Sequence, residues 1–318
     1  MAGDVRWGFL GAGQMARNIA PCVHAARGAR LEAAAARDAG RALRLGPAGS
    51  AYDDYELVLQ DPDVDAVYIA LNNDAHLPLT LRALAAGKHV LCEKPLGLTA
   101  DEVRQMAAAA EAAGRLVVEA FWYRWHPRTR RAEALVRAGH LGEITSVTST
   151  FTGGVTEDLA NYRYDPSQGG GALYDVGCYA VSAALWGAGA APLRTAEGEL
   201  QVHESGVDLA GSARLTLGNA TAEVRFGMSG EDVQSVVVQG TEGRIEIRDN
   251  AFVSRFEVAE LYVDDRVERF APVDPYQLMF EAVSARVRGE ADTIVELEES
   301  VRIAETIDAV FAAASRRG

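Results

Sequence analysis

The sequence predicts an α/β fold in two parts: a parallel-sheet domain over residues 1–121, then an α+β domain over 122–318 whose open sheet is mostly antiparallel. Three observations lead there. Strand-like and helix-like runs alternate as far as Ala120, the pattern of β-α-β units. From Phe121 onward, alternating apolar and polar residues dominate, with few helical patterns between them. The chain of 318 residues is also too long for one ordinary core.

The first strand is the apolar run Val5–Leu10, followed by Gly11-Ala12-Gly13 and a helical stretch over 14–26. Small residues at 31–36 read as a second strand, 53–60 as a helix and 66–71 as another strand. Asp74 is placed to cap the next helix, with Leu77, Leu81 and Leu84 on one face and Gly87 at its end. Residues 90–92 form a short strand leading into Glu93-Lys94-Pro95. Thr99 and Glu102 have capping-box spacing, and Val103, Met106, Ala107 and Ala110 then share a helical face. A strand over 116–120 closes this part. A helix over 126–138 begins the next one, and strand patterns follow at 207–217, 222–226, 233–239 and 244–247. Gly240-Thr241-Glu242-Gly243 reads as a hairpin turn. Helices over 276–288 and 297–315 end the chain, with Ile303, Ile307, Val310 and Phe311 as a buried stripe.

Composition narrows the function. The net charge of −14 argues against a nucleic-acid partner, which needs a basic face. No apolar run approaches the ~18 residues of a membrane span. The start lacks the basic and apolar regions of a secretory signal, so a cytoplasmic setting is expected. Cys22, Cys92 and Cys178 lie far apart and fit neither a disulfide framework nor a zinc site. His76 and His126 have no metal-ligand companions in sequence, so no catalytic metal is expected.

The turn Gly11-x-Gly13-x-x-Ala16, between a strand and a helix, has the form of a Rossmann dinucleotide site. Gly11 permits the tight turn, Gly13 lets backbone approach a pyrophosphate, and Ala16 keeps the helix close to the strand. A plain tight βα turn is the other reading. Cofactor choice turns on the end of the second strand, where an acidic residue favours NAD and an arginine NADP. Arg37 comes first there, with Arg41 four residues on, which favours NADP; Asp38 keeps NAD possible.

Lys94 follows a strand on the side where ligands of open α/β sheets bind, and Pro95 restricts its backbone. A lysine there is also readable as a surface charge. Gly169-Gly170-Gly171 leads into Asp175 and Tyr179, four apart and on one face if helical. The glycines could bring backbone close to a ligand. They equally suit a flexible loop entering a helix, with Tyr179 as a core aromatic. Trp122 and Arg124, in the run Trp122-Tyr123-Arg124-Trp125-His126, suit contact with a sugar-like substrate, as do Asn161 and Arg163. Packing at a domain seam explains the aromatics as well.

Together these segments resemble the glucose–fructose oxidoreductase and inositol dehydrogenase family. The resemblance is carried by Gly11 to Ala16, Asp65 to Ala70, Ala86-Gly87-Lys88-His89-Val90-Leu91-Cys92-Glu93-Lys94-Pro95, and Gly169 to Tyr179. Ala35 to Asp38, Glu119 to Arg124 and Asp175 to Tyr179 are most similar to the branch of dimeric dihydrodiol dehydrogenases and NADP-dependent D-xylose dehydrogenases. The resemblance implies a catalytic Lys94, Tyr179 as acid/base where other members carry His, and Asp175 as their partner near the substrate. It implies a dinucleotide held by Gly11, Ala12, Gly13, Gln14, Met15, Arg37, Arg41, Leu71, Asn72, Asn73, His76, Glu93 and Lys94. The loop from Asn72 to His76 departs from many relatives, which have Pro or Thr there.

Hydride would pass between the nicotinamide and a sugar, polyol or dihydrodiol carbon, with the proton handled by Tyr179. The second domain would bind substrate and mediate a homodimer or dimer of dimers. Some members of this superfamily keep the fold as sensors or co-repressors and tend to lose the catalytic lysine and its partner. Both Lys94 and Tyr179 are present here, which weighs for the enzyme.

Overall fold

A computed structural model describes residues 3–154 and 158–317. Met1 and Ala2, part of the amino-terminal segment read above, lie outside those residues. Contacts divide the chain into two compact units: Met1–Trp125 with Asp274–Val301, and His126–Val273 with Arg302–Gly318.

The first unit holds β1 (Val5–Leu10), α1 (Gln14–Ala25), β2 (Ala29–Ala35), α2 (Ala39–Leu43), β3 (Ser50–Tyr52), α3 (Tyr55–Gln60), β4 (Ala66–Ile69), α4 (His76–Ala85), β5 (His89–Cys92), α5 (Ala100–Ala113) and β6 (Val117–Glu119). The six strands pair in parallel in the order β3-β2-β1-β4-β5-β6. Strand order reverses between β1 and β4, the switch point at which ligands of such sheets bind. Trp7, Phe9, Tyr68 and Ile69 are fully buried, as strands covered on both faces require. Gly8 lets α3 close on the sheet, since a Cβ there would stand 2.4 Å from Val58 Cγ1.

Two local expectations are modified. Asp74 does not cap α4: it lies inside a 3-10 turn, Asn73–Ala75, whose last N–H bonds to the Asn72 carbonyl, and α4 starts without a side-chain cap. Thr99 does cap α5 through the Glu102 N–H at 3.2 Å, but the Glu102 carboxylate returns to the Leu98 N–H at 2.7 Å, one residue beyond the capping box.

The second unit opens with α6 (Pro127–Arg137), β7 (Ile144–Thr152) and α7 (Cys178–Gly187). Then come β8 (Leu193–Val202), β9 (Asp208–Leu217), β10 (Ala220–Gly227), β11 (Val233–Gly240), β12 (Arg244–Ile247), β13 (Ala259–Val263) and β14 (Arg266–Phe270). After α8 (Pro275–Val287), α9 (Leu297–Ala313) leads into β15 (Ala314–Arg317). The nine strands run β14-β13-β12-β11-β7-β10-β9-β8-β15, parallel only at β7/β10 and β8/β15. Period-two patterning shows in β10, where Ala222, Val224 and Phe226 are buried and Thr221 and Arg225 exposed. α7 is buried along its whole length, and Gly187 brings it against Val147 of β7. The helix expected to reach Ser315 stops at Ala313, because the next four residues pair with β8 from Gly198 to Gln201.

Residues 274–301 return to the first unit by aromatic packing. Phe280 of α8 meets Trp7 edge-on at 5.0 Å, Phe9 at 6.0 Å and Tyr68 at 5.6 Å, and the Trp7 indole N–H donates to Ser284 Oγ at 3.0 Å. A cut of the sequence at 121/122 therefore leaves Asp274–Val301 to be counted with the first unit. Among the described residues no helix is long and apolar enough to cross a membrane.

Candidate functional site

The glycine turn stands at the switch point. Gly11 has φ 111°, and a Cβ there would stand 2.5 Å from the Ala70 carbonyl, so only glycine fits. Gly13 heads α1 with no side-chain cap, and a Cβ on it would meet no heavy atom within 4 Å. The first turn of α1 thus presents its N–H groups to an open cradle, the geometry that receives a phosphate. Ala16 is fully buried against the sheet. Gln14 is exposed and bonds Asn18, while Met15 is half-buried with the Tyr276 hydroxyl 3.8 Å from its sulfur. These residues fit a dinucleotide.

Asp38, Arg41 and Arg37 differ in what they touch. Asp38 caps α2, its Oδ1 accepting the Arg41 N–H at 2.9 Å, so its carboxylate is engaged by its own helix. Arg41 reaches back to the glycine turn and donates to the Ala12 carbonyl at 3.3 Å. Arg37 is exposed. Both guanidinium charges act on the Tyr55 phenol, whose pKa is nevertheless raised by burial.

Lys94 follows β5 in the same unit, 9% exposed, and precedes a cis peptide bond to Pro95. Its surroundings are tied together in polar contacts. The Tyr68 hydroxyl donates to the buried Glu93 carboxylate in a short hydrogen bond. His76 is fully buried, with Nδ1 2.8 Å from the Pro95 carbonyl and Nε2 3.2 Å from the Leu71 carbonyl. Burial lowers its pKa, so it carries one N–H at neutral pH. His76 thus lies between the Leu71 carbonyl and the Lys94 loop, and its one N–H donates to one of the two. Leu71 also lies against the glycine turn, with Cδ2 3.1 Å from where a Gly11 Cβ would be. Lys88 is an anchor, its Nζ donating to the Asp61 and Val64 carbonyls at 2.7 Å each.

Glu119, at the end of β6, was not singled out for a role by its spacing. It is 2% exposed and accepts the Leu96 N–H at 2.9 Å, two residues beyond Lys94. Burial pushes its pKa up to about 7, against the lowering effects of the Ser300 hydroxyl, that N–H and the Lys94 charge. Trp122 stacks on Tyr276 with centroids 4.4 Å apart and 16° between planes. Arg124 is ion-paired to Glu299 and half-buried. Tyr276 and Glu299 carried no signal in sequence, because each sits more than 150 residues from the partner it meets.

In the second unit, Asp175 lies in a π-turn, Leu173–Gly177, that feeds directly into α7, and Tyr179 is in the first turn of that helix. Such turns recur at functional sites. Asp175 is 6% exposed and receives the Arg163 Nε–H at 2.7 Å. Burial works against the Arg163 charge, yet Asp175 and the nearby Tyr162 and Tyr179 raise its pKa overall. Asn161 caps the turn Tyr162–Tyr164, accepting the Arg163 N–H at 3.1 Å. Asn161 and Arg163 thus come together with Asp175, and Arg163 is first of all its counterion.

The glycine run brings backbone close to the protein itself. A Cβ on Gly170 would stand 2.5 Å from the Arg163 carbonyl, and one on Gly171, at φ 120°, 2.3 Å from Asp208 Oδ1. Asp208 in turn accepts the Leu173 N–H at 2.7 Å, and its burial pushes its pKa up to about 6. Among the described residues no group of three or more His, Cys, Asp or Glu is placed to hold a metal ion.

Residues 5–121 match the oxidoreductase family with an NAD-binding Rossmann fold, and residues 129–246 match the GFO/IDH/MocA C-terminal domain. The chain belongs to the GFO/IDH/MocA oxidoreductase family. D-xylose 1-dehydrogenase (NADP(+)) 2 of Haloferax volcanii is 39% identical over 317 residues, 97% of each chain. Trans-1,2-dihydrobenzene-1,2-diol dehydrogenase of Mus musculus is 32% identical, over 84% of this chain and 80% of the relative. The 3-ketoreductase KijD10 of Actinomadura kijaniata, solved with NADP and TDP-benzene, is similar with a TM-score of 0.88, at 30% identity over 99% of both chains. As a GFO/IDH/MocA member the protein is an oxidoreductase, with the Rossmann and mixed-sheet domains described above.

Proposed function

We propose that the protein is an NADP-preferring dehydrogenase or reductase of a CH–OH or C=O group on a sugar, polyol or dihydrodiol, with Lys94 and Tyr179 as its acid/base pair. The observation that carries the cofactor preference is the capping role of Asp38. With Asp38 Oδ1 engaged at α2, Arg41 and Arg17 both reach the Ala12 carbonyl of the glycine turn, and Arg37 stands exposed at the end of β2 as the proposed partner of the 2′-phosphate. The Haloferax relative named for NADP and the ketoreductase solved with NADP support the same reading.

Bound nicotinamide supplies or takes the hydride. Lys94 would hold the substrate oxygen and stabilise negative charge developing on it. Tyr179 would give or take the hydroxyl proton. Asp175, fixed by Arg163, would orient the substrate beside Tyr179. Trp122, Arg124, Asn161 and Arg163 are the proposed walls of the substrate pocket. His76 and Glu93 would hold the Lys94 loop in register at the nicotinamide end. A homodimer is part of the proposal, formed through the face of the second sheet that carries Thr221, Glu223 and Arg225. Mass measured in solution should be that of two chains or four, and a monomer alone would remove this part.

The test is the nicotinamide absorbance change with NADP and with NAD. The panel is D-xylose, other aldoses, inositols and trans-1,2-dihydrobenzene-1,2-diol, together with the matching carbonyl compounds. Turnover with NADP ahead of NAD is expected, and Arg37→Ala should raise the KM for NADP by roughly 10- to 100-fold, the scale of a lost charged hydrogen bond, with little change for NAD. Equal effects on the two cofactors would refute the Arg37 assignment. Cofactor binding without turnover on any compound would favour a sensor of the same fold.

A further inference from the structure

We propose that Phe252, held by a buried guanidinium clasp at Arg128, is a positioning residue that sets the Tyr179 ring for proton transfer. The inference deepens the acid/base reading of Tyr179 and rests on it. Phe252 is fully buried and belongs to the irregular segment between β12 and β13. Its ring stacks on Phe151 of β7, with centroids 5.1 Å apart and 9° between planes. It meets the Tyr179 ring at 5.8 Å and 60°, and Phe151 meets Tyr179 at 5.5 Å and 69°. Each ring touches the other two. In a close-packed interior the removal of one face therefore lets the others turn.

The segment that carries Phe252 has no strand or helix to hold it. Arg128, in the first turn of α6, supplies the hold. Its Nη1 donates to the Asp249 carbonyl at 3.2 Å, and its Nη2 to the Asn250 and Ala251 carbonyls at 2.7 and 3.1 Å. These are the three residues immediately before Phe252. Asn250 takes the left-handed backbone, φ 47°, which asparagine adopts more readily than most residues. Arg128 is 2% exposed, and although burial lowers its pKa to about 10 it stays charged at neutral pH. The start of α6 is fixed as well, because His126 Nδ1 accepts the Arg128 N–H at 3.1 Å. A planar fork with several donors can bind three carbonyls at once, and an ammonium cannot reproduce that geometry. The clasp thus fixes one register of the loop, and with it the place of the Phe252 ring under Tyr179.

The experiment uses the full chain with NADP and whichever of D-xylose and trans-1,2-dihydrobenzene-1,2-diol it turns over faster. Phe252→Leu, Phe252→Met and Arg128→Lys are measured alone and in a Tyr179→Phe background. Folded single variants are expected to lose about tenfold or more in kcat, the scale on which small misplacements act, with NADP affinity as in the wild type. In the Tyr179→Phe background the same changes should bring less than about a further twofold loss, since their effect passes through the missing hydroxyl. Phe252→Met, similar to leucine in volume but more adaptable, serves should the leucine variant fail to fold. Wild-type kcat in the single variants, or an equal loss in both backgrounds, overturns the positioning role while leaving Tyr179 as acid/base. Full activity of Tyr179→Phe alone overturns both.

Discussion

Tyr179→Phe should lower kcat by about 10²- to 10⁴-fold, the range for loss of a general acid/base, while NADP binds as to the wild type. The substitution isolates the hydroxyl. Tyr179 is 5% exposed and its ring sits edge-on to Phe151 at 5.5 Å, a packing that a phenylalanine ring reproduces. The helix around it is buried along its length, and the phenylalanine ring occupies the same space. An unperturbed phenol titrates at about 10 and needs cationic neighbours to work near neutral pH. Arg163, whose charge interacts with Tyr179, is one such neighbour. Turnover followed by nicotinamide absorbance, beside NADP affinity from fluorescence, separates the two effects. Full turnover in the variant would falsify the role.

A second large effect concerns stability against pH. Burial raises the folded-state pKa of Glu119 from 4.5 to about 7. The unfolded chain releases this proton first, so the contribution of Glu119 to stability is fully present below about pH 4.5 and is lost as pH rises through about 7. The difference in pKa corresponds to about 3 kcal/mol between those limits. Glu119→Gln keeps an oxygen to accept the Leu96 N–H and removes the titration. Relative to the wild type, the variant should therefore gain stability progressively from pH 5 to pH 8, by about 3 kcal/mol in all. Urea unfolding of both proteins at several pH values reads this directly. Asp208, with its pKa pushed up to about 6, titrates in both proteins and cancels in the comparison. A difference that stays constant with pH would show that Glu119 is ionised throughout.

Both effects belong to groups that sequence reading treats unequally. Tyr179 stands out because it follows a glycine run and matches a position in a recognisable motif. Glu119 stands out only as part of a motif that marks a branch of the family, and nothing in its spacing reports its burial or its bond to Leu96. The glycine run reads equally as a close approach to a ligand or as a flexible loop, and in the fold Gly170 and Gly171 make room for the Arg163 backbone and the Asp208 carboxylate.

The elements whose causes are local were readable from the residues. β1, the turn through Gly11 and Gly13 and the start of α1 follow from an apolar run, a left-handed φ and an uncapped helix start within a dozen residues. The Thr99 cap and the turn between β11 and β12 are equally local. Packing over long separations settled the rest. Asp38 could have faced a ribose or capped its own helix, and only the folded backbone shows that it caps. Phe280 reaches Trp7, Phe9 and Tyr68 across more than 200 residues, which ties α8 to the first unit. Phe252 meets Phe151 and Tyr179 because a guanidinium more than 120 residues away holds the loop before it. Hydrogen-bond caps and dihedral preferences act within a turn or two of the chain, whereas burial and ring contacts depend on which surfaces the folded chain brings together.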